Sequence, residues 1–434
     1  MQWGKSVIEK YIVNTKKLIK NGLGHVFLAS AFNQIISFAS NFFLIRILTK
    51  NAFGTYSYAY NVYSFFALFA GFGVESACLQ VCSENRENIQ KAEEYMKFGL
   101  LFGSVFNIFL GFVIILSSKI LSFSIAGTSE LLLYFSILPI LTTLFNCIQI
   151  YYRYNMQNQI YAENSLINTF LIMTGSISGA YILQAKGLIL FRNFSFFVSI
   201  AVSVFAFHFP LKRIISREKI SEIEKKDIIK IALISMLNIA TGQLLYLIDV
   251  FLIGIVEEDS EIIAVYKTAT ILPNALLFIP NALMVYAYPY FASKQDDKRW
   301  VKNQFFTITK YFFMLNLVIT TFLELTAPYV VTVLFGEQYL DAVPAFRILM
   351  VSYLFSASFR KIIGNLLVTQ RKLRVNFWMG IAEGVLNIIF NWILIHKLGM
   401  VGAAITTLCI CIFSSACLMV YFLNYLNKEI RAKI

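Results

Sequence analysis

Long apolar runs separated by short polar segments extend along the whole 434-residue chain. A helix that crosses a bilayer needs about 20 apolar residues. Runs of that length occur at residues 24–47, 55–82, 97–117, 131–152, 164–184, 187–209, 228–256, 264–291, 303–326, 343–368, 375–396 and 399–424. The runs are continuously apolar, whereas strands of a membrane barrel alternate over about 10 residues. The pattern predicts an all-α membrane protein with about twelve transmembrane helices.

The composition agrees with a chain that lies almost wholly in the bilayer. Hydrophobic residues make up 58% and charged residues only 14%, against roughly 25% charged residues in soluble domains. The six cysteines all fall in predicted spans, and none has metal-ligand spacing with a histidine. A packing role for these cysteines is favoured over a disulfide or a metal site.

Lysine and arginine are distributed asymmetrically. In the twelve-span arrangement most of the 37 basic residues fall on one side of the membrane, and that side is expected to be cytoplasmic. Both termini are therefore predicted to be cytoplasmic. This distribution also argues against nucleic acid as the reason for the net charge of +13.

The longest polar stretch divides the chain near its middle. The predicted organisation is a cytoplasmic basic segment at 1–23, a six-helix bundle at 24–209, a cytoplasmic linker at 210–227, a second six-helix bundle at 228–424 and a cytoplasmic tail at 425–434. Segment 1–23 is either an interfacial helix or a disordered leader.

The two halves resemble each other weakly in sequence. Lys186-Gly187-Leu188 and Leu398-Gly399-Met400 open equivalent spans. Two pseudo-symmetric bundles with parallel repeats suit alternating access, in which one bundle rocks against the other.

No motif for enzyme chemistry is found. The loops are short, and they contain no glycine-rich phosphate loop, no Ser/His/Asp grouping and no paired metal ligands. The sequence therefore predicts that the protein is not an enzyme, and that function depends on ionisable side chains inside the spans. Such side chains usually face a bundle interior or a water-filled cavity.

Basic residues outnumber acidic residues among these intramembrane groups. The candidates for a cationic, anion-binding cavity are Arg46, Arg192, Lys267, Arg347, Arg360 and Lys361. Arg46, Lys267 and Arg347 lie near enough to helix ends that snorkelling into the interface is an alternative. Arg360 and Lys361 are deeper and point about 100° apart on a helix, so only one of them can face a cavity squarely.

The acidic residues and prolines supply candidates for coupling and gating. Asp249 and Glu75 are candidates for proton or ion coupling, and Glu383 lies at a depth that also allows an ion pair with Arg360 or Lys361. Pro273 and Pro280 are seven residues apart and lie on nearly the same helix face, so they produce either a hinge or a static kink.

Several segments together resemble a known family. They are Arg46 to Tyr56, Asp249 to Gly254 with Tyr266, the prolines at 273 and 280, Leu334 to Tyr339 after Pro328, and Leu398 to Ala404. In order and spacing the chain resembles the Wzx-type polysaccharide flippases, a branch of the multidrug/oligosaccharidyl-lipid/polysaccharide (MOP) exporter superfamily, which also contains the multidrug MATE transporters.

The resemblance implies a fold and a function. It implies a MATE-like fold and a flippase that moves undecaprenyl-diphosphate-linked oligosaccharide across the bacterial inner membrane for O-antigen (lipopolysaccharide), capsule or exopolysaccharide assembly. Partners would be membrane lipid, a polysaccharide polymerase and chain-length proteins. The resemblance implies no cofactor. It implies that transport is coupled to a gradient of protons or sodium ions. The alternatives are a MATE-type drug or cation antiporter and, less favoured by the short loops, a membrane-embedded polymerase or ligase.

Overall fold

The computed structural model describes residues 24–432, and among these the regular structure is entirely helical. Predicted segment 1–23 lies outside the described residues. The helices are α1 Gly24–Ile47, α2 Lys50–Ala67, α3 Val74–Glu84, α4 Ile89–Ile120, α5 Thr128–Phe135, α6 Leu138–Tyr154, α7 Asn158–Phe205, α8 Leu211–Ser216, α9 Glu222–Glu257, α10 Ser260–Leu276, α11 Phe278–Ser293, α12 Lys298–Leu325, α13 Ala327–Phe335, α14 Val343–Phe355, α15 Lys361–Thr369 and α16 Leu373–Ala432.

The predicted spans correspond to these helices. Within the described residues eight helical segments are long and apolar enough to cross a membrane, or nine when the bent pair α2 and α3 is counted as one span. The bend in that pair is 42°. The all-α membrane fold predicted from the apolar pattern is confirmed.

Two of the eight segments, α7 and α16, are helical hairpins. The hydroxyl of Ser195 donates to the carbonyl of Leu171 at 2.8 Å, although a straight helix would separate these residues by about 36 Å at 1.5 Å per residue. The backbone reverses at Gln184 in α7 and at Gly399 in α16. Each hairpin therefore contains two of the predicted spans.

The two hairpin turns have the same backbone geometry. Gln184 has φ 52° and ψ −137°, and Gly399 has φ 58° and ψ −142°. Beyond each turn a glycine packs against the incoming helix: a Cβ on Gly187 would lie 2.0 Å from the carbonyl oxygen of Gly179, and one on Gly402 would lie 2.1 Å from that of Leu394. The sequence comparison paired Gly187 with Gly399, whereas the turn geometry pairs Gly187 with Gly402.

This pair of turns gives a test of backbone strain. We expect Gly399→Gln to lower the free energy of unfolding by about 1–3 kcal/mol, because residues other than glycine are strained at this φ/ψ. There is also little room for a side chain at this position, since a Cβ on residue 399 would lie 3.0 Å from Oε1 of Glu257. The matched change Gln184→Gly removes strain at the same backbone geometry, so it should lower the thermal midpoint in detergent less than Gly399→Gln does. A fall for Gln184→Gly that equals the fall for Gly399→Gln would contradict this account.

The chain divides into two compact units. Of the described residues, unit 1 comprises 24–47, 63–122 and 129–239, and unit 2 comprises 48–62, 123–128 and 240–432. Unit 1 has a core of apolar residues around α3, α4 and α6, and unit 2 has one around α11, α12, α15 and the second arm of α16. The predicted division of the sequence at 210–227 remains a prediction.

A cluster of charged residues in unit 1 holds the segment that follows α7. Glu93 has no exposed surface, and its carboxylate accepts hydrogen bonds from Arg213 and Arg217. Lys91 Nζ lies 2.7 Å from Glu224 Oε1 at the start of α9. These contacts connect α4 to residues 211–224, which the sequence places in the cytoplasmic linker.

The contact between Lys91 and Glu224 predicts a dependence of stability on pH. The Lys91 ammonium lowers the pKa of Glu224 to about 2, and hydrogen bonds from Ser221 assist. An unfolded glutamate titrates near 4.3, so this contact stabilises the fold above about pH 4 and is lost as the pH falls towards 2. We expect the thermal midpoint of the wild-type protein to fall more between pH 5 and 2.5 than that of Glu224→Gln. Equal slopes would contradict the assignment.

Candidate functional site

A buried carboxylate in unit 2 is surrounded by neutral hydrogen-bond donors. Asp249 is 9% exposed. Its Oδ1 accepts from the amides of Asn387 at 3.0 Å and Asn391 at 2.7 Å. Its Oδ2 accepts from the hydroxyls of Thr407 at 2.8 Å and Tyr266 at 3.0 Å. These five residues are called the Asp249 cluster below.

The hairpin of α16 assembles most of this cluster. Asn387 and Asn391 are four residues apart and therefore lie on one helix face. Thr407 reaches the same carboxylate because the chain reverses at Gly399. The sequence identified Asp249 and Tyr266 but not the other three. The available signal was the pair of asparagines at helical spacing inside an apolar run.

Arg360 and Glu383 form a bidentate ion pair in unit 2. Arg360 Nε donates to Glu383 Oε1 at 2.8 Å, and a terminal nitrogen of its guanidinium donates to Oε2. The Glu383 side chain is 1% exposed and that of Arg360 is 22% exposed. The ion pair that the sequence left as an alternative is present, and Arg360 rather than Lys361 is its cation.

The residue Arg360 ends a π-helical turn. This turn, Ser356–Arg360, interrupts the helical segment between α14 and α15. A π-turn of this kind is rare and often occurs at functional sites. The hydroxyl of Ser358, inside this turn, accepts a hydrogen bond from the buried amide of Asn316 at 3.0 Å, which fixes the turn against α12.

Arg360 and Glu383 line two cavities of unit 2. The first, of about 180 Å³, is lined by the Asp249 cluster apart from Asn391, together with Lys267, Pro273, Arg360 and Glu383. The second, of about 280 Å³, is lined by Arg360, Lys361, Asn365, Asn376 and Glu383 among others. The first cavity contains two cations and two carboxylates, so the predicted basic excess is not found within it.

Lys267 differs from Arg360 in its charge partners. Arg360 is neutralised by Glu383, whereas Lys267 has no carboxylate oxygen within 4.0 Å among residues 24–432. Asp249 lines the same cavity and attracts Lys267 from beyond salt-bridge distance, while neutral side chains donate to both of its oxygens. Lys267 is therefore the side chain of this cavity that is best placed to meet an anion.

The other predicted basic residues have different surroundings. Arg46 lies over the ring of Phe42, with its guanidinium carbon 4.7 Å from the ring centroid. Arg347 Nε lies 3.8 Å from Glu324 Oε2, and its side chain is 47% exposed. Of the six predicted basic residues, the structure brings Lys267, Arg360 and Lys361 to the two cavities described. The meeting of Arg46 and Arg192 with the basic residues of unit 2 remains a prediction.

The prolines of the predicted span 264–291 lie on either side of a helix boundary. Pro273 is inside α10, is buried and lines the first cavity. Helix α10 ends at Leu276 and α11 begins at Phe278, so that Pro280 lies in the first turn of α11. The break therefore falls between the two prolines, next to the cavity. A hinge here remains a prediction.

Unit 1 has a polar cavity of its own. It has a volume of about 470 Å³, and its lining includes Glu75, Asn146, Gln149, Arg153 and Asn168. The carboxylate of Glu75 accepts hydrogen bonds from Thr143 and Asn146, both at 2.9 Å. Glu75 and Asp249 therefore resemble each other in one respect: each is satisfied by neutral donors.

The described residues contain no group of three or more His, Cys, Asp or Glu side chains placed to hold a metal ion. The polar groups that line the cavities described in the two units are carboxylates, amides, hydroxyls and the four cations Arg153, Lys267, Arg360 and Lys361. Such groups bind and orient a ligand through hydrogen bonds and charge.

Comparison with solved structures identifies the fold. An inward-facing multidrug resistance MATE transporter of the MOP superfamily superposes with a TM-score of 0.72 at 15% identity, over 93% of this chain and 96% of the other. The lipid II flippase MurJ in an inward closed conformation superposes with a TM-score of 0.72 at 13% identity, over 93% and 90% of the two chains. The MATE-like MOP fold expected from the sequence is confirmed.

Comparison with sequences identifies the family. An uncharacterized membrane protein of Methanocaldococcus jannaschii is 28% identical over 159 residues, which are 36% of this chain and 30% of that relative. The alignment thus covers about a third of the relative's length. The family model described as "Polysaccharide biosynthesis protein" matches residues 43–344, well over half of the chain. The chain is a multi-span membrane protein that belongs to this polysaccharide biosynthesis family.

Proposed function

We propose that the protein is a flippase that moves undecaprenyl-diphosphate-linked oligosaccharide across the bacterial inner membrane by alternating access. The observation that carries this proposal is Lys267, which makes no salt bridge within 4.0 Å among residues 24–432 and lines a polar cavity between apolar helices. A diphosphate is a dianion, and a cation in a partly desolvated cavity attracts it strongly.

Arg360 and Lys361 extend this basic lining. Both line the second cavity of unit 2 with Glu383, and Arg360 also lines the first. A diphosphate that approaches Arg360 would compete with Glu383 for the same guanidinium. The Arg360–Glu383 pair is therefore proposed to open when the head group binds, while Lys267 supplies a second contact.

The Asp249 cluster is proposed as the coupling centre. A buried carboxylate whose hydrogen-bond donors are all neutral can accept a proton without breaking a salt bridge. The same oxygen-rich surroundings also suit Na⁺, because the amides of Asn387 and Asn391 present their oxygens when they turn over. Proton and sodium coupling are distinguished by the dependence of transport on each gradient.

The remaining parts of the proposal concern topology and partners. Both termini are proposed to be cytoplasmic, since the excess of basic residues lies on their side of the predicted spans. The oligosaccharide is proposed to pass to a polymerase and chain-length proteins that build O-antigen, capsule or another surface polysaccharide. The protein itself is proposed to translocate its ligand without making or breaking covalent bonds.

Deletion of the gene in the native host tests the proposal. We expect loss of the surface polysaccharide and accumulation of lipid-linked repeat units on the cytoplasmic face. Complementation with wild-type protein should restore the polysaccharide, and Lys267→Ala should restore less of it. Lys310→Ala is the matched control, because Lys310 is exposed on α12. Full restoration by Lys267→Ala would remove Lys267 from the site.

A drug or cation antiporter is the second candidate function, and Asp249 is the observation that favours it. A cation carrier needs a buried carboxylate in its cavity, and Asp249 supplies one. Intact surface polysaccharide together with raised sensitivity to cationic dyes in the deletion strain would overturn the flippase proposal and support the antiporter.

A further inference from the structure

The cavity of unit 1 contains buried amide groups without partners. Gln149 is 7% exposed, and neither its Oε1 nor its Nε2 has a hydrogen-bond partner among the described residues. Asn168 is 9% exposed, and its Oδ1 is likewise unpartnered. Both line the cavity of about 470 Å³. Buried amides are nearly always hydrogen-bonded, so Gln149 and Asn168 are side chains of the cavity wall to which a polar ligand adds hydrogen bonds when their amides turn towards it.

The remaining lining shows which chemistry fits. One acidic and one basic side chain, Glu75 and Arg153, line the cavity, so its formal charges balance. The Glu75 carboxylate already accepts from Thr143 and Asn146. The guanidinium carbon of Arg153 lies 5.7 Å from the ring centroid of Tyr161. The rest of the polar lining consists of amides and hydroxyls, so neutral polar groups are the larger part of what a ligand meets in this cavity.

Hydroxyl-rich ligands match this set of groups. A side-chain amide offers two donors and an acceptor, and a carboxylate oxygen retains acceptor capacity after one hydrogen bond. Adjacent hydroxyl groups of a sugar ring both donate and accept, so one ring can satisfy both atoms of Gln149. Phe145 and Phe196 supply apolar surface in the same cavity for the C–H face of a ring. The volume is within the range of roughly 300–1,000 Å³ for small-molecule sites.

We propose that the cavity around Gln149, Asn168 and Glu75 binds an uncharged sugar residue of the lipid-linked oligosaccharide. This inference rests on the proposed flippase function and extends it by assigning sugar recognition to unit 1. The diphosphate is bound by the basic groups of unit 2. The two kinds of recognition therefore depend on different residues and are separable by mutation.

Three probes test the proposal on the purified full-length protein. They are undecaprenyl diphosphate, the lipid-linked oligosaccharide extracted from the native host after deletion of the gene, and the free oligosaccharide released from that lipid by mild acid. We expect Gln149→Leu to weaken binding of the two sugar-bearing probes by about 10- to 100-fold, the loss expected for two neutral hydrogen bonds. Binding of undecaprenyl diphosphate should not change.

Stability separates this binding role from a structural one. Because Gln149 is unpartnered, Gln149→Leu removes buried polar atoms without breaking a protein hydrogen bond, so the thermal midpoint should stay equal or rise. Gln80→Leu is the matched control, because Gln80 is exposed on α3 and pairs with Glu84. A lower midpoint for Gln149→Leu would show that the amide is structural and would overturn the proposal.

The outcomes distinguish the sugar site from the flippase function. Wild-type affinity of Gln149→Leu for both sugar-bearing probes overturns the sugar site and leaves the flippase proposal standing. Gln149-dependent binding of the free oligosaccharide without binding of either lipid supports the site and overturns the flippase proposal. Absence of binding of all three probes overturns both.

Discussion

Replacement of Asp249 by asparagine should reduce transport to background while the protein remains in the membrane. The two side chains have nearly the same shape, but the variant carries no charge and cannot take up a proton or hold Na⁺ as a carboxylate does. An amide also presents a donor where Asp249 Oδ2 now accepts from Thr407 and Tyr266. Leaving buried donors unpaired costs roughly 1–3 kcal/mol, which is tolerable for a stable fold.

Surface polysaccharide in the complemented deletion strain measures this effect, with the amount of protein followed by immunoblot. Asp341→Asn makes the same chemical change at a side chain that is 77% exposed in the same unit, and it should complement fully. Complementation by Asp249→Asn at the wild-type level would show that the negative charge of the cluster is not used in transport.

Separation of Arg360 from Glu383 should have the second large effect. Removing one partner of a buried ion pair leaves an uncompensated charge and costs about 3–5 kcal/mol. Glu383 is the more deeply buried of the two, so Arg360→Ala should lower both the thermal midpoint and the amount of protein. The double variant Arg360→Met with Glu383→Leu should recover most of the stability, because apolar residues of similar volume can replace a buried pair at little cost.

Transport by the double variant then reports on the function of Arg360. If Arg360 contacts the diphosphate, transport stays low although the protein level is restored. Lys310→Met, at an exposed position on α12, controls for loss of a basic residue. Recovery of both stability and transport in the double variant would make the ion pair purely structural and would leave Lys267 as the cation of the first cavity.

The fold was largely predictable because the bilayer constrains the sequence so strongly. Backbone polar groups in lipid must be satisfied within the segment, so long apolar runs can only be helices or barrel strands. The turns were harder to find. Gln184 adopts a conformation that usually requires glycine, so no glycine marks the point where α7 reverses. The alignment of the two halves by sequence therefore differed by three residues from the alignment by turn geometry.

The candidate site was predictable residue by residue but not as an assembly. Charged residues inside apolar runs are conspicuous, and the sequence identified Asp249, Arg360, Lys267 and Glu75. Hydrogen-bond partners come from distant positions, as Asn391 does for Asp249, and neutral asparagines give only a weak signal. The count of basic residues in the predicted spans also did not show which of them form ion pairs. Arg347 and Arg360 each lie beside a glutamate.

The π-helical turn at Ser356–Arg360 has a consequence for how such proteins diversify. A π-turn closes its hydrogen bonds between residues i and i+5, so it accommodates one more residue than the corresponding turn of an α-helix. Each residue of an α-helix is rotated by about 100° from the one before. A homologue with an ordinary α-helix here would have one residue fewer and would present the residue aligned with Arg360 in a different direction. A sequence alignment of this segment therefore needs a one-residue gap.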